Sequence, residues 1–220
     1  MTLSYAQSLD GSLTLARGRP LCLSSPPTLR LTHQLRALHD AILVGIGTVL
    51  ADNPRLTVRL VRGKQPQAVI LDSHLRLPLT AALLENLHRP PWIATVESPQ
   101  SPRWQALQGR GAVLLPLAPD AQGRVAWGDL LATLFERGIR SLMVEGGAQV
   151  IHSLLQAAVA DQAVITIAPR FVGGLTVLEE PPTSRDAPAF PALEQLGCQR
   201  LGEDLVVWGR LRYPQGHAHL

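Results

Sequence analysis

The stretch Ile139–Leu155, IRSLMVEGGAQVIHSLL, predicts a strand, a glycine turn and a helix in direct succession. Ser141–Val144 forms a short apolar run, and after two glycines the apolar side chains recur at helical spacing. Glycines let a ligand approach the main chain closely, and the first N–H groups of a helix favour an anion. We therefore interpret Gly146–Gln149 as a phosphate-binding turn, with a simple tight connection as the alternative.

Glu145 stands where that strand ends. Ligands of open α/β sheets bind beyond the carboxyl ends of the parallel strands, so this carboxylate is predicted to point into a binding crevice. A solvated glutamate at the sheet edge is the alternative. The arrangement recurs at Gln67–Asp72, a second buried strand that ends in a carboxylate and is followed by Ser73.

Apolar runs alternate with helical patterns along most of the chain, which predicts an α/β fold with a mostly parallel central sheet covered by helices. The expected strands lie near residues 2–6, 41–46, 67–72, 91–96, 112–117, 140–145, 162–169 and 204–213. The last two follow one another without a helix between them, which indicates an antiparallel ending. The proline-rich segment Glu179–Pro191 is interpreted as the loop that joins them.

The helices are predicted from capping residues that precede spaced leucines. Ser25 begins a helix that ends near His39 and turns one stripe of side chains inward: Leu31, Leu35 and Leu38. Thr48 is expected to cap a short helix, Val49–Asp52. Asp129 is expected to cap a helix whose inward side chains are Leu130, Leu131, Leu134 and Phe135.

Composition indicates a globular protein built as one domain, residues 1–220. Of its residues 46% are hydrophobic and 17% are charged, which is enough for one sizeable core. The chain has no apolar run of about eighteen residues, and its amino end lacks a basic segment followed by an apolar one, so we expect a cytoplasmic protein without a membrane partner. The formal charge of +3 comes with scattered arginines, which favours a small anionic ligand over nucleic acid.

Metal and disulfide chemistry are not indicated. Cys22 and Cys198 lie far apart, and the sequence has neither a C-x-x-C nor an H-E-x-x-H motif. Four histidines are interpreted as surface or capping residues: His33, His39, His74 and His88. The sequence therefore predicts no metal site.

Four segments carry a resemblance to a known family: Ser8–Gly11 (SLDG), Leu35–Arg59 (LRALHDAILVGIGTVLADNPRLTVR), Val69–Pro78 (VILDSHLRLP) and Leu142–Ile151 (LMVEGGAQVI). Together they resemble the reductase domain of bacterial bifunctional riboflavin-biosynthesis deaminase/reductases. That family has a dihydrofolate-reductase-like fold, with antiparallel C-terminal strands and helices on both faces of the sheet. It uses NADPH to reduce 5-amino-6-(5-phosphoribosylamino)uracil to the ribitylamino product. The resemblance implies the same fold, reaction and cofactor here, and a homodimer.

The resemblance also implies roles for particular residues. Positions that contact the phosphorylated substrate correspond to Arg36, Leu56, Arg59 and Glu145. Positions that contact NADPH correspond to Thr48, Asp52, Ser73, Gly146, Gly147, Ala148, Gln149 and Val150. A pair of guanidinium groups suits a phosphate, because each fork binds it with geometry as well as charge. Ser73 with Arg76 suits the adenosine 2′-phosphate and so favours NADPH over NADH, with a turn serine and a surface arginine as the alternative.

Two residues are candidates for catalysis. Asp10 matches a position near the expected nicotinamide, although it also fits a plain Asp-Gly turn. Glu145 matches a position near the substrate ribose, where it would either orient the opened sugar or accept a proton.

Two positions depart from the family pattern. Ser12 stands where lysine or arginine usually follows the S-L-D-G turn, and Cys22 stands where tryptophan is common. Three arginines are candidates to supply the positive charge that Ser12 lacks: Arg17, Arg19 and Arg36. Two alternative functions therefore stay open: a dihydrofolate-reductase-like enzyme acting on a different pyrimidine, pterin or imine, and a non-catalytic nucleotide-binding relative.

The zinc-binding H-x-E and P-C-x-x-C elements of the family's deaminase half have no counterpart in this sequence. A separate deaminase would act upstream.

Overall fold

The structure, a computed structural model, describes residues 1–86, 88–177 and 191–214. Its strands are β1 (Thr2–Ser8), β2 (Ser12–Thr14), β3 (Ala41–Gly45), β4 (Gln67–Leu71), β5 (Trp92–Thr95), β6 (Val113–Pro116), β7 (Leu142–Val144), β8 (Gln162–Ala168), β9 (Leu175–Thr176), β10 (Ala192–Leu201) and β11 (Asp204–Arg212). Its helices are α1 (Pro26–Leu38), α2 (Ile46–Asp52), α3 (Pro102–Gly109), α4 (Trp127–Glu136) and α5 (Ala148–Gln156), with a short 3-10 helix at Ala82–Glu85. Each predicted strand is present.

The central sheet has the order β10-β11-β8-β1-β7-β3-β4-β5-β6. From β8 to β6 every neighbouring pair is parallel, and the two pairs formed by β11 are antiparallel. The predicted mostly parallel sheet with an antiparallel ending is therefore confirmed. A separate two-stranded pair joins β2 to β9.

Hydrophobic cores lie on both faces of this sheet because successive residues of a strand point to opposite sides. Ile42 and Leu43 of β3 are both fully buried, and each belongs to a different core. Helices α4 and α5 contribute Leu130 and Ile151 to one core. On the opposite face, α3 contributes Leu107 to the other. The expected helices on both faces are confirmed, and they leave the carboxyl ends of the central strands open.

Helix α1 has a more polar inner face than its leucines predict. Leu38 is 76% exposed, whereas Thr28 and His33 are buried. These polar side chains tolerate burial because they are hydrogen bonded: Thr28 Oγ1 donates to Asp204 of β11, and His33 accepts from the main chain of Arg59. The prediction that His33 lies at the surface is wrong. His39 is the C-cap residue of α1, as the capping interpretation predicts, and its buried ring lies 2.7 Å from the Leu35 carbonyl through Nδ1 and 2.8 Å from Thr2 Oγ1 through Nε2.

Two predicted helix starts are also wrong. Helix α2 begins at Ile46 after the extended Gly45, so Thr48 lies inside the helix and does not cap it. Helix α4 begins at Trp127, and Asp129 in its first turn accepts a hydrogen bond from the Ala118 N–H at 2.6 Å instead of capping.

At the other end of α4, Phe135 is 60% exposed instead of facing inward. It packs beneath the guanidinium of Arg140, which lies 3.8 Å from the ring centre.

The prediction missed the late strand β10, whose ten residues are mostly exposed on both faces and therefore lack an apolar alternation. The predicted loop Glu179–Pro191 lies outside the described residues apart from Pro191. Among the described helices, none combines the length and the apolar character that a membrane crossing requires.

Candidate active site

A cleft of about 820 Å³ opens at the carboxyl ends of β3, β4 and β7. Gly45, Leu71 and Glu145 mark those strand ends in its lining. Helix α5 forms one wall, and the segment 13–24, which follows the start of β2, forms another. This is the edge at which parallel sheets bind ligands, and it is where the sequence predicts the site.

The amino end of α5 faces the cleft through an uncapped turn. Gly147 is the N-cap residue, with extended backbone and no side-chain capping bond. A Cβ atom at Gly147 would meet only Thr48 Oγ1, at 3.5 Å, so the surrounding protein leaves room there. At Gly146 a Cβ atom would lie 2.9 Å from Val150 Cβ, so this glycine is required by packing. The first N–H groups of α5 thus remain available to an anionic ligand.

A cluster of basic side chains lines the cleft beyond β4: His74, Arg76 and Arg124. Ser73 Oγ accepts a hydrogen bond from the Val125 N–H at 3.1 Å, which ties this loop to the segment that carries Arg124. Arg124 is also paired with Asp120 at 3.2 Å. The guanidinium groups of Arg76 and Arg124 suit a phosphate group, although the carboxylate of Asp120 lines the same end of the cleft.

The neighbouring carboxylate, Asp72, does not repeat the placement of Glu145. It is fully buried, and its Oδ2 atom accepts a hydrogen bond from the Leu77 N–H at 2.8 Å. Burial raises its pKa above the ordinary value. Asp72 therefore shapes the loop after β4 and does not line the cleft.

At the end of β7, Glu145 forms a bidentate ion pair with Arg36 of α1. Arg36 Nε donates to Glu145 Oε1 at 2.7 Å, and Nη2 donates to Oε2 at 2.6 Å. The two side chains are only 12% and 17% exposed, and both line the cleft. Arg36 Nη1 also donates to the Thr57 carbonyl at 3.1 Å.

The other predicted substrate residues, Leu56 and Arg59, do not line this cleft. Leu56 is buried with a positive φ of 49°, which turns the chain after α2. The side chain of Arg59 is exposed, while its main-chain N–H donates to His33 Nδ1 at 3.0 Å. Arg59 is thus not part of the cleft lining, while its charge and that of Arg36 both act on the buried His33.

Asp10 serves as an acceptor for one loop. Its carboxylate accepts hydrogen bonds from Ser8 Oγ, from Ser12 Oγ at 3.0 Å, and from the N–H groups of Val172 and Gly173 at 3.0 and 2.6 Å. The bond from Ser8, followed by the two main-chain bonds, holds the pKa of Asp10 well below its usual range. Asp10 does not line the cleft.

Ser12 binds the same loop as Asp10, one residue further along at Gly174. Its side chain is 1% exposed, and its Oγ atom accepts the Gly174 N–H at 2.9 Å. Where the family pattern has a basic residue, this chain therefore has a buried anchor that does not line the cleft.

Arg17, Arg19 and Cys22 of the segment 13–24 do line the cleft. The remaining predicted cofactor residues lie there as well: Thr48, Asp52, Ser73, Gly146, Gly147, Ala148, Gln149 and Val150.

Sequence reasoning missed two aromatic residues of the cleft, Tyr5 and Trp127. Tyr5 lies in β1, and burial raises its pKa to about 12. Trp127 begins α4 and donates through Nε1 to Ser153 Oγ of α5 at 3.3 Å. Tryptophan just before an apolar helix is the available signal, but the predicted cap, Asp129, lies three residues after the observed N-cap, Ala126. No group of three or more potential metal ligands is formed within the described ranges.

Comparison with known proteins identifies the family. The RibD C-terminal domain matches residues 1–207. The chain belongs to this family. This RibD C-terminal domain protein is 32% identical to the 2,5-diamino-6-ribosylamino-4(3H)-pyrimidinone 5′-phosphate reductase of Candida glabrata, over 96% of this chain and 89% of the relative. It is 36% identical to the protein of that name from Aquifex aeolicus, over 90% and 88%.

Solved structures agree with this membership. RibD of Acinetobacter baumannii matches the RibD C-terminal domain protein with a TM-score of 0.81 and 26% identity, over 96% of this chain and 57% of the larger one. The Saccharomyces riboflavin biosynthesis reductase Rib7 matches with a TM-score of 0.75 and 32% identity, over 96% and 89%. A dihydrofolate reductase from Enterococcus faecalis, 15% identical with a TM-score of 0.50, shares the fold. The protein is thus an oxidoreductase of dihydrofolate-reductase-like fold that uses a nicotinamide cofactor.

Proposed function

We propose that this protein uses NADPH to reduce a ribosylaminopyrimidine 5′-phosphate to its ribitylamino product in riboflavin biosynthesis. The observation that carries the proposal is the meeting of two features in one cleft: the uncapped amino end of α5 at Gly147 and the Arg36–Glu145 pair. The first suits the pyrophosphate of a dinucleotide. The second presents a carboxylate that accepts hydrogen bonds from sugar hydroxyl groups.

Two substrates fit this reaction. One is 5-amino-6-(5-phosphoribosylamino)uracil, the substrate implied by the resemblance to the bifunctional enzymes. The other is 2,5-diamino-6-ribosylamino-4(3H)-pyrimidinone 5′-phosphate, which is favoured because relatives that align with nearly the whole chain carry that substrate in their names. If the substrate is the uracil compound, a separate deaminase acts before this protein. If the substrate is the diaminopyrimidinone, the deaminase acts after it.

The lining of the cleft fits NADPH. Gly147 leaves space beside Thr48 for a group to approach the α5 N–H groups, and Ser73, Arg76 and Arg124 place hydrogen-bonding groups and positive charge after β4 for the 2′-phosphate. When bound, NADPH supplies the hydride that reduces C1′ of the ring-opened imine. The chain's own part is to bind and orient both ligands.

Within this proposal, Glu145 orients the opened sugar, and the segment 13–24 forms one wall of the cleft, which Arg17 and Arg19 line. Asp10 and Ser12 are assigned to hold the neighbouring loop at Val172–Gly174, because the Asp10 carboxylate accepts the Val172 and Gly173 N–H groups and Ser12 Oγ accepts the Gly174 N–H. The proposal thus gives Asp10 a structural role in supporting the cleft wall instead of a catalytic one.

The same proposal includes a cytoplasmic homodimer without nucleic-acid or membrane partners. Support for self-association comes from the edge of the sheet, where Leu196, Leu205 and Trp208 are 63%, 41% and 40% exposed. Light scattering coupled to size exclusion tests the dimer, and a monomeric mass across the micromolar range would contradict it.

The function is tested by incubating the purified protein with NADPH and each pyrimidine phosphate in turn, with dihydrofolate as a third substrate. We expect NADPH consumption with at least one pyrimidine, accompanied by a product heavier by two hydrogens. Consumption with dihydrofolate alone would favour a different substrate class. NADPH binding without consumption would favour the non-catalytic alternative.

A further inference from the structure

The loop after β4 alternates exposed and buried side chains. Leu75 and Leu77 are 1% and 0% exposed, whereas His74 and Arg76, which alternate with them, are exposed and line the cleft. Leu75 has a positive φ of 51°, a conformation that leucine adopts only where its surroundings hold it. The two leucines thus anchor the loop and leave the side chains beside them at the cleft.

Arg103 of α3 binds the main chain of this loop. Its Nε donates to the Leu75 carbonyl at 2.8 Å, and its Nη2 donates to the Leu77 carbonyl. Arg103 itself does not line the cleft. One planar guanidinium therefore holds the two carbonyls that flank Arg76, with a fixed geometry that the single ammonium of a lysine would not reproduce.

Both supports of the loop are themselves fixed. Helix α3 is capped by Ser101 Oγ, which accepts the Trp104 N–H at 3.2 Å, and it buries Trp104 and Leu107 in the core. At the start of the loop, Thr95 Oγ1 of β5 donates to the Ser73 carbonyl at 2.9 Å. The sheet thus holds the loop where it begins, and α3 holds it further along.

We propose that Arg103 is a positioning residue that strengthens the preference for NADPH over NADH by fixing the main chain on both sides of Arg76. The inference rests on the proposed function, in which Arg76 contacts the adenosine 2′-phosphate. A fixed main chain limits the positions open to the Arg76 side chain, so less conformational freedom is lost when it binds the phosphate. NADH has no 2′-phosphate, so its affinity does not depend on this support.

The test measures the dissociation constants of NADPH and NADH by titration calorimetry for Arg103→Lys, which keeps the charge but loses the fork. We expect NADPH to bind about 3- to 10-fold more weakly and NADH to stay within about twofold of wild type. If only the charge of Arg103 matters, Arg103→Lys binds NADPH like wild type. If the variant distorts the whole site, both cofactors bind more weakly by the same factor. Either result would overturn the proposal.

A second variant, Arg76→Gln, shows whether the effect passes through Arg76. On its own it should weaken NADPH roughly 10- to 100-fold, and adding Arg103→Lys should change the remaining affinity by less than about twofold. An Arg103→Lys loss that persists in full without the Arg76 guanidinium would overturn the positioning role. If Arg76→Gln binds NADPH like wild type, the 2′-phosphate contact of the proposed function fails, and the inference falls with it.

The matched control is Arg110, which directly follows α3 and donates through Nε to the Leu79 carbonyl at 3.2 Å, outside the cleft. Arg110→Lys makes the same exchange and should leave both dissociation constants within about twofold of wild type. Urea unfolding verifies that each variant is folded. If Arg103→Lys does not fold, Arg103→Met is compared with Arg110→Met in its place. The same loss for NADPH alone is expected at position 103, and equal NADPH affinities of these two variants would overturn the proposal.

Discussion

His33 Nδ1 accepts a hydrogen bond from the main-chain N–H of Arg59 across 3.0 Å. The bond joins the buried face of α1 to the segment after α2, and it requires a neutral ring because a protonated Nδ1 has no lone pair to offer. Burial, followed by the charges of Arg36 and Arg59, lowers the pKa of His33 to about 4.

This histidine predicts a pH dependence of stability. An unfolded histidine has a pKa of 6.5, so between about pH 6.5 and pH 4 the unfolded chain binds a proton that the folded chain does not. The contribution of His33 to the free energy of unfolding is complete above pH 6.5 and declines as the pH falls towards 4, by at most about 3 kcal/mol. Urea unfolding at a series of pH values measures it.

The control variant removes the titratable imidazole ring but keeps a hydrogen-bond acceptor at position 33. His33→Asn retains an acceptor but does not titrate, so the slope of stability against pH should flatten between pH 6.5 and 4. His88→Asn at an exposed position should retain the wild-type slope. Equal slopes for wild type and His33→Asn would contradict the assignment.

Asp10→Asn tests whether that carboxylate supports the loop or takes part in the chemistry. Each Asp10 oxygen accepts one of the N–H groups of Val172 and Gly173. In asparagine an NH2 group replaces one of these oxygens, so one of the two N–H groups would face a donor instead of an acceptor. We expect a lower free energy of unfolding and faster amide hydrogen exchange at 172–174. Glu203→Gln, in an exposed ion pair with Arg170, is the matched control and should change stability little. A large fall in kcat with unchanged stability and exchange would instead make Asp10 catalytic.

Neighbouring glycines at the start of α5 should respond differently to substitution. Gly147→Val places methyl groups where the structure has only Thr48 Oγ1 within 4 Å of the added Cβ. We expect it to weaken NADPH and NADH alike, about tenfold or more, with less than about 1 kcal/mol change in stability. Gly146→Ala should destabilise the fold, because its Cβ would lie 2.9 Å from Val150 Cβ. Titration calorimetry and urea unfolding separate the two effects, and unchanged cofactor affinity of Gly147→Val would place the pyrophosphate elsewhere.

Arg76 should distinguish the two nicotinamide cofactors. Removing one charge-assisted contact to a 2′-phosphate costs about 1.5–3 kcal/mol, so Arg76→Gln should weaken NADPH roughly 10- to 100-fold and leave NADH unchanged. Arg62→Gln, at an exposed position outside the cleft, is the control. Equal losses for both cofactors, or none, would reject the contact.

The sequence predicted those parts of the fold that depend on local pattern. The run at Ala41–Gly45 required burial on both faces, and the Glu145-Gly-Gly turn required a strand before it and a helix after it. The structure confirms both elements. Strand β10 escaped prediction because its side chains are exposed on both faces, so main-chain pairing with β11 determines its conformation.

Side-chain partnerships across the fold were harder to predict. Arg36 and Glu145 are 109 residues apart, and only the three-dimensional structure shows that they bind each other. The same holds for Ser12: the family pattern has a basic residue at this position, whereas the buried Ser12 hydroxyl accepts the Gly174 N–H. These partnerships are tertiary contacts, which the local sequence does not show.

The central claim is hydride transfer from the nicotinamide to the sugar carbon C1′, and deuterium labelling tests it most directly. NADPH carrying deuterium at the transferable C4 position is incubated with each pyrimidine phosphate, and the product is analysed by mass spectrometry and NMR. We predict one deuterium per product molecule, bound at C1′ of the ribityl chain. A reduced product without deuterium at C1′, or no NADPH oxidation with either pyrimidine phosphate, would contradict the account.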